Sequence, residues 1–368
     1  MQRRPLKFSN QSNRDFETTL TKRVNQYFKQ NNISKTANGL MIFKTIFFLT
    51  LYAGSYSLIL FGGLSLGVTY LLWAFFGFTI AMLCVNIGHD AIHGAYSDKK
   101  WVNNLLSHTF NLNGASAYMW AKMHNMAHHT YPNIDGYDED IESLPIIRMN
   151  PKKKLKSIHK YQHIYAPVFY GLATLAWVFI KDYVKFFKNE VGNYSQKKHP
   201  VHQYFLLFFY KALYYAIFMV LPFLVLDFSF VQILLGILLM HYVEGFTLAV
   251  IFMLAHIVEE THFLLPNQNG MLEHSRMVHQ LYTTANFSVK SRLTGFLTGG
   301  LNAQVEHHLF PNICSIHYRS ISGIVRETAE EFGLPYYESS FFGAIRSHLR
   351  FLEKMGKHEK YFPLTAAA

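Results

Sequence analysis

TIFFLTLYAGSYSLILFGGLSLGVTYLLWAFFGFTIAMLCVNIGHDAIHGAYSD, residues 45–98, contains no lysine or arginine and carries His89 and His93 near its end. It is long enough for two helical passes of about 20 residues through a hydrocarbon layer about 30 Å thick. The glycines and serine of 62–65 break it between the passes. A second stretch without Lys or Arg covers 212–275. Together they predict four spans, at about 41–61, 66–86, 205–226 and 230–255. The composition agrees, with 50% hydrophobic, 16% aromatic and only 15% charged residues. The expected class is an all-α integral membrane protein.

Charge sets the expected orientation. The links at 62–65 and 227–229 are short and carry no positive charge, so they are expected outside. Apart from Lys44, every Lys and Arg lies before the first span, in 99–211 or beyond 275, which predicts cytoplasmic placement for these regions and for both termini. A further apolar segment, 164–180, has Pro167 early and Lys181 after it. One more full pass would separate the chain's histidine clusters, so this segment is expected to lie in the interface or dip partway. The run KKKLKSIHK at 152–160 reads as a topology determinant, with attraction to anionic headgroups or to the phosphates of an acyl carrier as the functional alternative. The net charge of +11 is not matched by any aromatic-interleaved basic module or zinc-finger spacing, so nucleic acid is not an expected partner. Cys84 and Cys314 make no disulfide framework, and the polar, basic first forty residues show no cleavable signal peptide. The expected organisation is a cytoplasmic arm at 1–38, a membrane domain at 39–340 and a tail at 341–368. In the arm, Phe16, Leu20, Val24, Tyr27 and Phe28 recur at helical spacing, and 321–332 alternates as a helix does.

Three histidine clusters carry the chemistry: HDAIH at 89–93, HNMAHH at 124–129 and QVEHH at 304–308. On α-helices, His89 with His93 and His124 with His128 share a face, His129 stands beside the second pair, and Gln304 shares a face with His307 and His308. A lone histidine is more often a hydrogen-bonded core or surface residue than a ligand, but repetition at compatible spacing favours metal. All three clusters follow a span on the side expected to be cytoplasmic, as does His256. Seven imidazoles, eight with His256, exceed the four ligands of one zinc ion and fit two metals. Imidazole alone leaves the metal open among iron, zinc, copper and nickel. The fold is therefore expected as four transmembrane helices with a cytoplasmic helical cap holding a histidine-rich dimetal site. Asp90, Asp138, Asp140, Glu259 and Glu306 are candidates to accept the second ring N–H of a ligating histidine, although solvation also explains the DGYDED run. His262, His274 and His279 are nearby competitors for ligation. His241 and Glu244 are ionisable groups at membrane depth, expected to pair, to line a substrate path or to stitch helices. Tyr118 and Trp120 are candidate walls of an acyl tunnel or ordinary core.

The three boxes and the longer stretches HDAIHGAYS (89–97), KMHNMAHHTYPNIDGYDED (122–140) and GGLNAQVEHHLFPNICSIHY (299–318) resemble the membrane fatty-acid desaturase family over about residues 40–340. A third box that begins with Gln resembles the front-end, linoleoyl-CoA desaturase-like subgroup. The resemblance implies a non-haem diiron centre that uses O2 and two electrons to insert a double bond into an acyl-CoA or acyl-lipid. It implies iron ligands at His89, His93, His124, His128, His129, His256, His307 and His308. Gln304 stands where many relatives have histidine, and is expected as an oxygen ligand or as a donor to a ligand. The cytochrome b5 domain with its HPGG signature, fused in many relatives, is not seen here, so electrons are expected from cytochrome b5, ferredoxin or a flavoprotein. Membrane lipid is the remaining expected partner. The alternatives are a sphingolipid desaturase or fatty-acyl hydroxylase of the same superfamily and, from another class, a histidine-rich metal transporter.

Overall fold

Asn38 opens the first membrane helix, its side-chain oxygen accepting the Met41 N–H at 3.1 Å and satisfying one of the amides that a helix start leaves over. The helix Gly39–Phe61 ends at Gly62 and Gly63, the latter at a φ of +58°. The computed structural model describes residues 6–9, 13–141, 144–196 and 198–358. Parts of the expected arm (1–5 and 10–12) and of the expected tail (359–368) lie outside the described residues.

Among the described residues, four helices are long and apolar enough to cross a membrane: Gly39–Phe61, Leu66–Ile92, Val201–Val225 and Phe230–His256. They correspond to the four expected spans. The second continues past its expected end at Asn86, because the chain keeps winding through a π turn at Cys84–Gly88 into His89–Ile92. His89 therefore belongs to the span itself. Ser229 and Gln232 form a capping box at the start of the fourth span, each side chain bonding to the other's backbone N–H. Outward-facing Leu58, Phe61, Leu71, Val231 and Leu235 remain exposed, as suits a surface that lipid covers.

Small residues let the second and fourth spans touch backbone to backbone. A Cβ on Gly77 would sit 2.1 Å from the Met240 carbonyl oxygen, and one on Gly236 would sit 2.5 Å from the Trp73 ring. The expected interfacial segment forms a helix pair, Ser157–Tyr170 and Ala173–Phe187, bent by 71°. The bend seats Gly171 against the fourth span, where a Cβ would lie 2.2 Å from the Tyr242 ring. Nearby, His241 places Nδ1 3.2 Å from Thr174 Oγ1 and Nε2 3.0 Å from the Tyr214 hydroxyl, tying the fourth span to the bent pair and the third span. Glu244 comes within 3.6 Å of His241 Nδ1. Of the roles expected for these residues, their contacts display two: the two side chains approach each other, and His241 stitches helices.

The helix Arg14–Gln30 buries Phe16, Leu20, Val24 and Phe28, as its periodicity predicts, against Ile321, Val325 and Ala329 of the helix Tyr318–Glu331. The helix Phe341–Lys357 lies within the region expected as a tail, where Phe351, Leu352 and Met355 pack against Ala166 and Tyr170 of the bent pair. Three two-stranded ladders of two residues per strand complete the described structure; two are parallel and the Glu190–Val191/Tyr194–Ser195 hairpin is antiparallel.

Replacing Gly77 with Ala is expected to lower the melting temperature of the detergent-solubilised protein, since overpacking a tight contact costs about 1–3 kcal/mol. Gly54→Ala, on the first span with nothing within 4 Å of its Cβ position, is the control expected to melt unchanged. Fluorescence-detected size exclusion after heating measures both.

Candidate metal centre

Each histidine cluster reaches the centre through a local backbone device. The π turn Cys84–Gly88 feeds the first, and only glycine fits at its end, because a Cβ on Gly88 would lie 2.4 Å from the Phe110 ring. Gly299 and Gly300, at φ +64° and +77°, lead into the short helix Gln304–Leu309 of the third cluster. A Cβ on Gly299 would lie 2.1 Å from the Val85 carbonyl, so the chain entering the third cluster rests directly on the turn below the first. His256 is the last residue of the fourth span.

The second cluster departs from the α-helical reading. Residues Lys122–His128 wind as a π-helix, and the His129 N–H donates to the His124 carbonyl at 2.9 Å, an i→i+5 bond. On an α-helix, at about 100° per residue, His129 would point about 140° away from His124. The wider turn brings it back, and the Nε2 atoms of His124 and His129 lie 3.1 Å apart. His128 flanks His124 on the other side, with ring centroids 5.1 Å apart.

The clusters converge on two groups of donors. Ligand-capable atoms of His89, His93, His124 and His307 all lie within 4.8 Å of one another, as do those of His128, His256 and His308. His129 joins His307 and His308 on the same criterion and so stands between the groups. Gln304 lies beside the second group, its Nε2 2.9 Å from His256 Nε2 and its buried Oε1 without a partner among the described residues.

Hydrogen bonds fix the tautomers. His124 Nδ1 lies 2.8 Å from Asp140 Oδ2, His128 Nδ1 2.9 Å from Asp138 Oδ1 and His256 Nδ1 3.2 Å from the Thr283 carbonyl. His308 Nδ1 lies 2.7 Å from Gln280 Oε1 and His307 Nδ1 3.1 Å from the Tyr318 hydroxyl. Carboxylates and carbonyls only accept, so Nδ1 carries the proton and Nε2 turns its lone pair inward. Burial raises the Tyr318 pKa well above the usual range, so its hydroxyl stays protonated and can donate to His307 Nδ1 or accept from it.

Two observations test the fit to metal. His89 Nδ1 and Nε2, His93 Nε2, His307 Nε2 and His308 Nε2 are buried without a hydrogen-bond partner among the described residues, a cost that a cation would remove. His128 and His256 both protonate Nδ1, yet their Nε2 atoms face each other at 3.3 Å. Burial pushes the pKa values of His93, His124, His129, His307 and His308 well down, with neighbouring imidazoles adding to the effect, so these rings are the neutral bases a metal needs. At His128 burial pulls strongly the same way, but the charge and hydrogen bond of Asp138 together with the charge of Asp140 raise the pKa on balance.

The other candidates sort by contact. Asp138 and Asp140 hold histidines, whereas the Asp90 carboxylate accepts from Ser315 N and Oγ at 3.0 and 2.8 Å and from Cys314 Sγ. Glu259 pairs with Lys354, and Glu306 accepts from Asn286 and Tyr336 at 2.9 and 2.8 Å. His262 contacts Tyr337, His274 stacks on Tyr282, and His279 bonds to the Pro132 carbonyl, all outside the two groups. Tyr118 bonds to His199, but Trp120 stacks on His124 with ring centroids 4.0 Å apart and walls the centre. The sequence reading does not identify Gln280, Thr283 or Tyr318 as partners. Gln280 left a trace as a polar residue on the buried side of the helix Arg276–Thr283, and Tyr318 left none.

The family model described as fatty acid desaturase matches residues 65–340. The chain is similar to an acyl-lipid (8-3)-desaturase of Physcomitrium patens, 34% identical across 96% of this chain and 74% of the relative. It is similar to sn-1 linoleoyl-lipid 6-desaturases of Synechocystis sp. (34% identical; 94% and 96% of the two chains) and of Arthrospira platensis (33%; 92% of each).

Replacing Asp138 or Asp140 with Asn is expected to weaken metal binding about 10–100-fold, the usual consequence of losing an imidazole's hydrogen-bond partner. Glu259→Gln, away from the centre, is expected to bind as the unaltered protein does. Equilibrium dialysis with metal quantified by mass spectrometry distinguishes them.

Proposed function

The chain belongs to the fatty acid desaturase family, an integral membrane oxidoreductase, and on that premise we propose that it is a front-end acyl-lipid desaturase acting on linoleoyl-type chains. The observation that carries the reading is the meeting of eight imidazoles, seven buried and His93 half-buried, from four chain segments at one end of the spans. We assign His89, His93, His124 and His307 to one metal, His128, His256 and His308 to the other, and His129 to the space between them. Gln304, beside His256, is assigned a supporting place in the second group, with Oε1 available as an oxygen donor. Two non-haem irons bound there would supply activation of O2, which with two electrons and two protons takes one hydrogen from each of two neighbouring methylenes and leaves as water.

The protein's residues do the rest. Asp138, Asp140, Gln280, Thr283 and Tyr318 hold the Nδ1 atoms of five imidazoles so that each of these rings keeps one nitrogen for the metal. Burial keeps bulk water from the centre, and Trp120 presents an apolar wall beside His124. Selecting between chemically equivalent methylenes requires the acyl chain to be held at a set depth, so regioselectivity belongs to the apolar bundle below the metals. The distribution of Lys and Arg supports a cytoplasmic centre with both termini on the same side. Electrons are assigned to a carrier protein, whether cytochrome b5, ferredoxin or a flavoprotein. A metal transporter would string its ligands along a path through the spans, and the convergence of the histidines at one end argues against it.

Expression in a host supplied with linoleate is expected to yield a new trienoic eighteen-carbon species, missing when His128 and His129 are replaced by Ala. Gas chromatography–mass spectrometry locates the added bond. A hydroxylated product, or a product confined to sphingolipid, would overturn the assignment within the family. Unchanged lipids from a protein that carries no metal would overturn the diiron reading.

A further inference from the structure

The second histidine cluster is held from outside by one short helix at the inner end of the bent pair. Ahead of the cluster, Ser116 caps the helix Ala117–Ala121, and its backbone N–H donates to Asp182 Oδ2 at 2.8 Å. Asp182 is fully buried; its Oδ1 accepts from Trp177 Nε1 at 2.9 Å, and Oδ2 also accepts from Lys211 Nζ at 2.9 Å. Behind the cluster, Met119 of the helix Ala117–Ala121 and Met123 and Ala127 of the π-wound region pack on Phe186 and Val191. Beyond it, Glu139 lies between the two aspartates that hold His128 and His124. Its carboxylate meets the Lys185 ammonium and accepts the Gly192 N–H at 2.8 Å. Both Glu139 and Lys185 are buried.

A π winding is rare and persists where surroundings impose it. Here the imposing contacts come from Asp182, Lys185 and Phe186, which at i, i+3 and i+4 share one face of the helix Asp182–Phe187. We propose that this helix is a bracket that maintains the winding of the second cluster, with Asp182 and Glu139 as positioning residues of the metal centre. The proposal rests on the reading that the cluster binds metal. Glu139 holds the backbone from which Asp138 and Asp140 reach their histidines, and Asp182 fixes where the helix leading into the cluster begins. Neither touches an imidazole nitrogen in the contacts described above, so each acts through the residues it places.

The test uses full-length protein in detergent, stripped of metal and titrated with Co(II), whose visible absorption reports ligand number and geometry. The variant Glu139→Gln/Lys185→Met removes both charges together, so no buried ion is left unpaired. It is expected to lose about tenfold or more in Co(II) affinity and to shift the absorption bands, with little change in the melting temperature of the metal-free protein. The reversed pair, Glu139→Lys/Lys185→Glu, is expected to recover part of the affinity. Asp182→Asn, which spares the Glu139 pair, is expected to shift the bands in its own right. Affinity and bands equal to the unaltered protein in all three variants would overturn the bracket. So would a fall in metal-free melting temperature with unchanged bands, which is the mark of a merely structural role. Failure of the unaltered protein to bind Co(II) would instead sink the metal reading, and the bracket with it.

Discussion

An imidazole that is to bind a metal must be buried, neutral and already aimed, and every other feature of this structure answers to that demand. Burial lowers the basicity that would otherwise charge the rings, but it also strips each nitrogen of water. In five of the rings, those of His124, His128, His256, His307 and His308, Nδ1 recovers a partner in a carboxylate, amide, phenol or backbone carbonyl, and Nε2 is left facing the shared space. The spans bring the first cluster and His256 to one end of the bundle, glycines let the third cluster rest on the first, and a widened helical turn brings His129 inward beside His124 and His128.

Much of this was legible before any coordinates. Apolar runs without Lys or Arg located the four spans because a hydrocarbon layer imposes length and composition on whatever crosses it. The histidine clusters announced themselves by repetition. The periodicity of Phe16, Leu20, Val24 and Phe28 located an amphipathic helix and its buried face. Other features depend on partners distant in sequence, which no local pattern encodes. The π winding is one, because HNMAHH fits an α-helix well until His129 has to be accounted for. The carboxylates are another: Asp90 sits beside a box histidine yet serves Ser315, while Asp138 and Asp140, in a run that also reads as solvated surface, hold His128 and His124. Adjacent acidic residues acquire different tasks according to which helix packs against them.

The polar groups inside the bundle follow the same logic away from the metal. Lys211 reaches the carbonyls of Gly114 and Val178, each at 2.6 Å, as well as Asp182, so its ammonium is fully engaged at a depth where water would otherwise be needed. His241 bridges three helices in a comparable way. Such knots place the third span and the bent pair relative to the second cluster, and their energetic value lies in geometry more than in net stability.

The order of the donors along the chain has a consequence for biogenesis. The first pair is complete at His93, but each group of donors also needs His307 or His308, more than two hundred residues later. The spans are inserted as the polypeptide emerges, so the centre is incomplete until nearly all of it has been synthesised. On the proposed assignment, metal loading would then be a late event on an otherwise assembled protein. Until then the protein would carry buried nitrogens that have no partner among the described residues, each costing about 1–3 kcal/mol. A cell short of the metal would hold a destabilised population of full-length chains, and the supply of the ion would set how much of the newly made protein survives quality control.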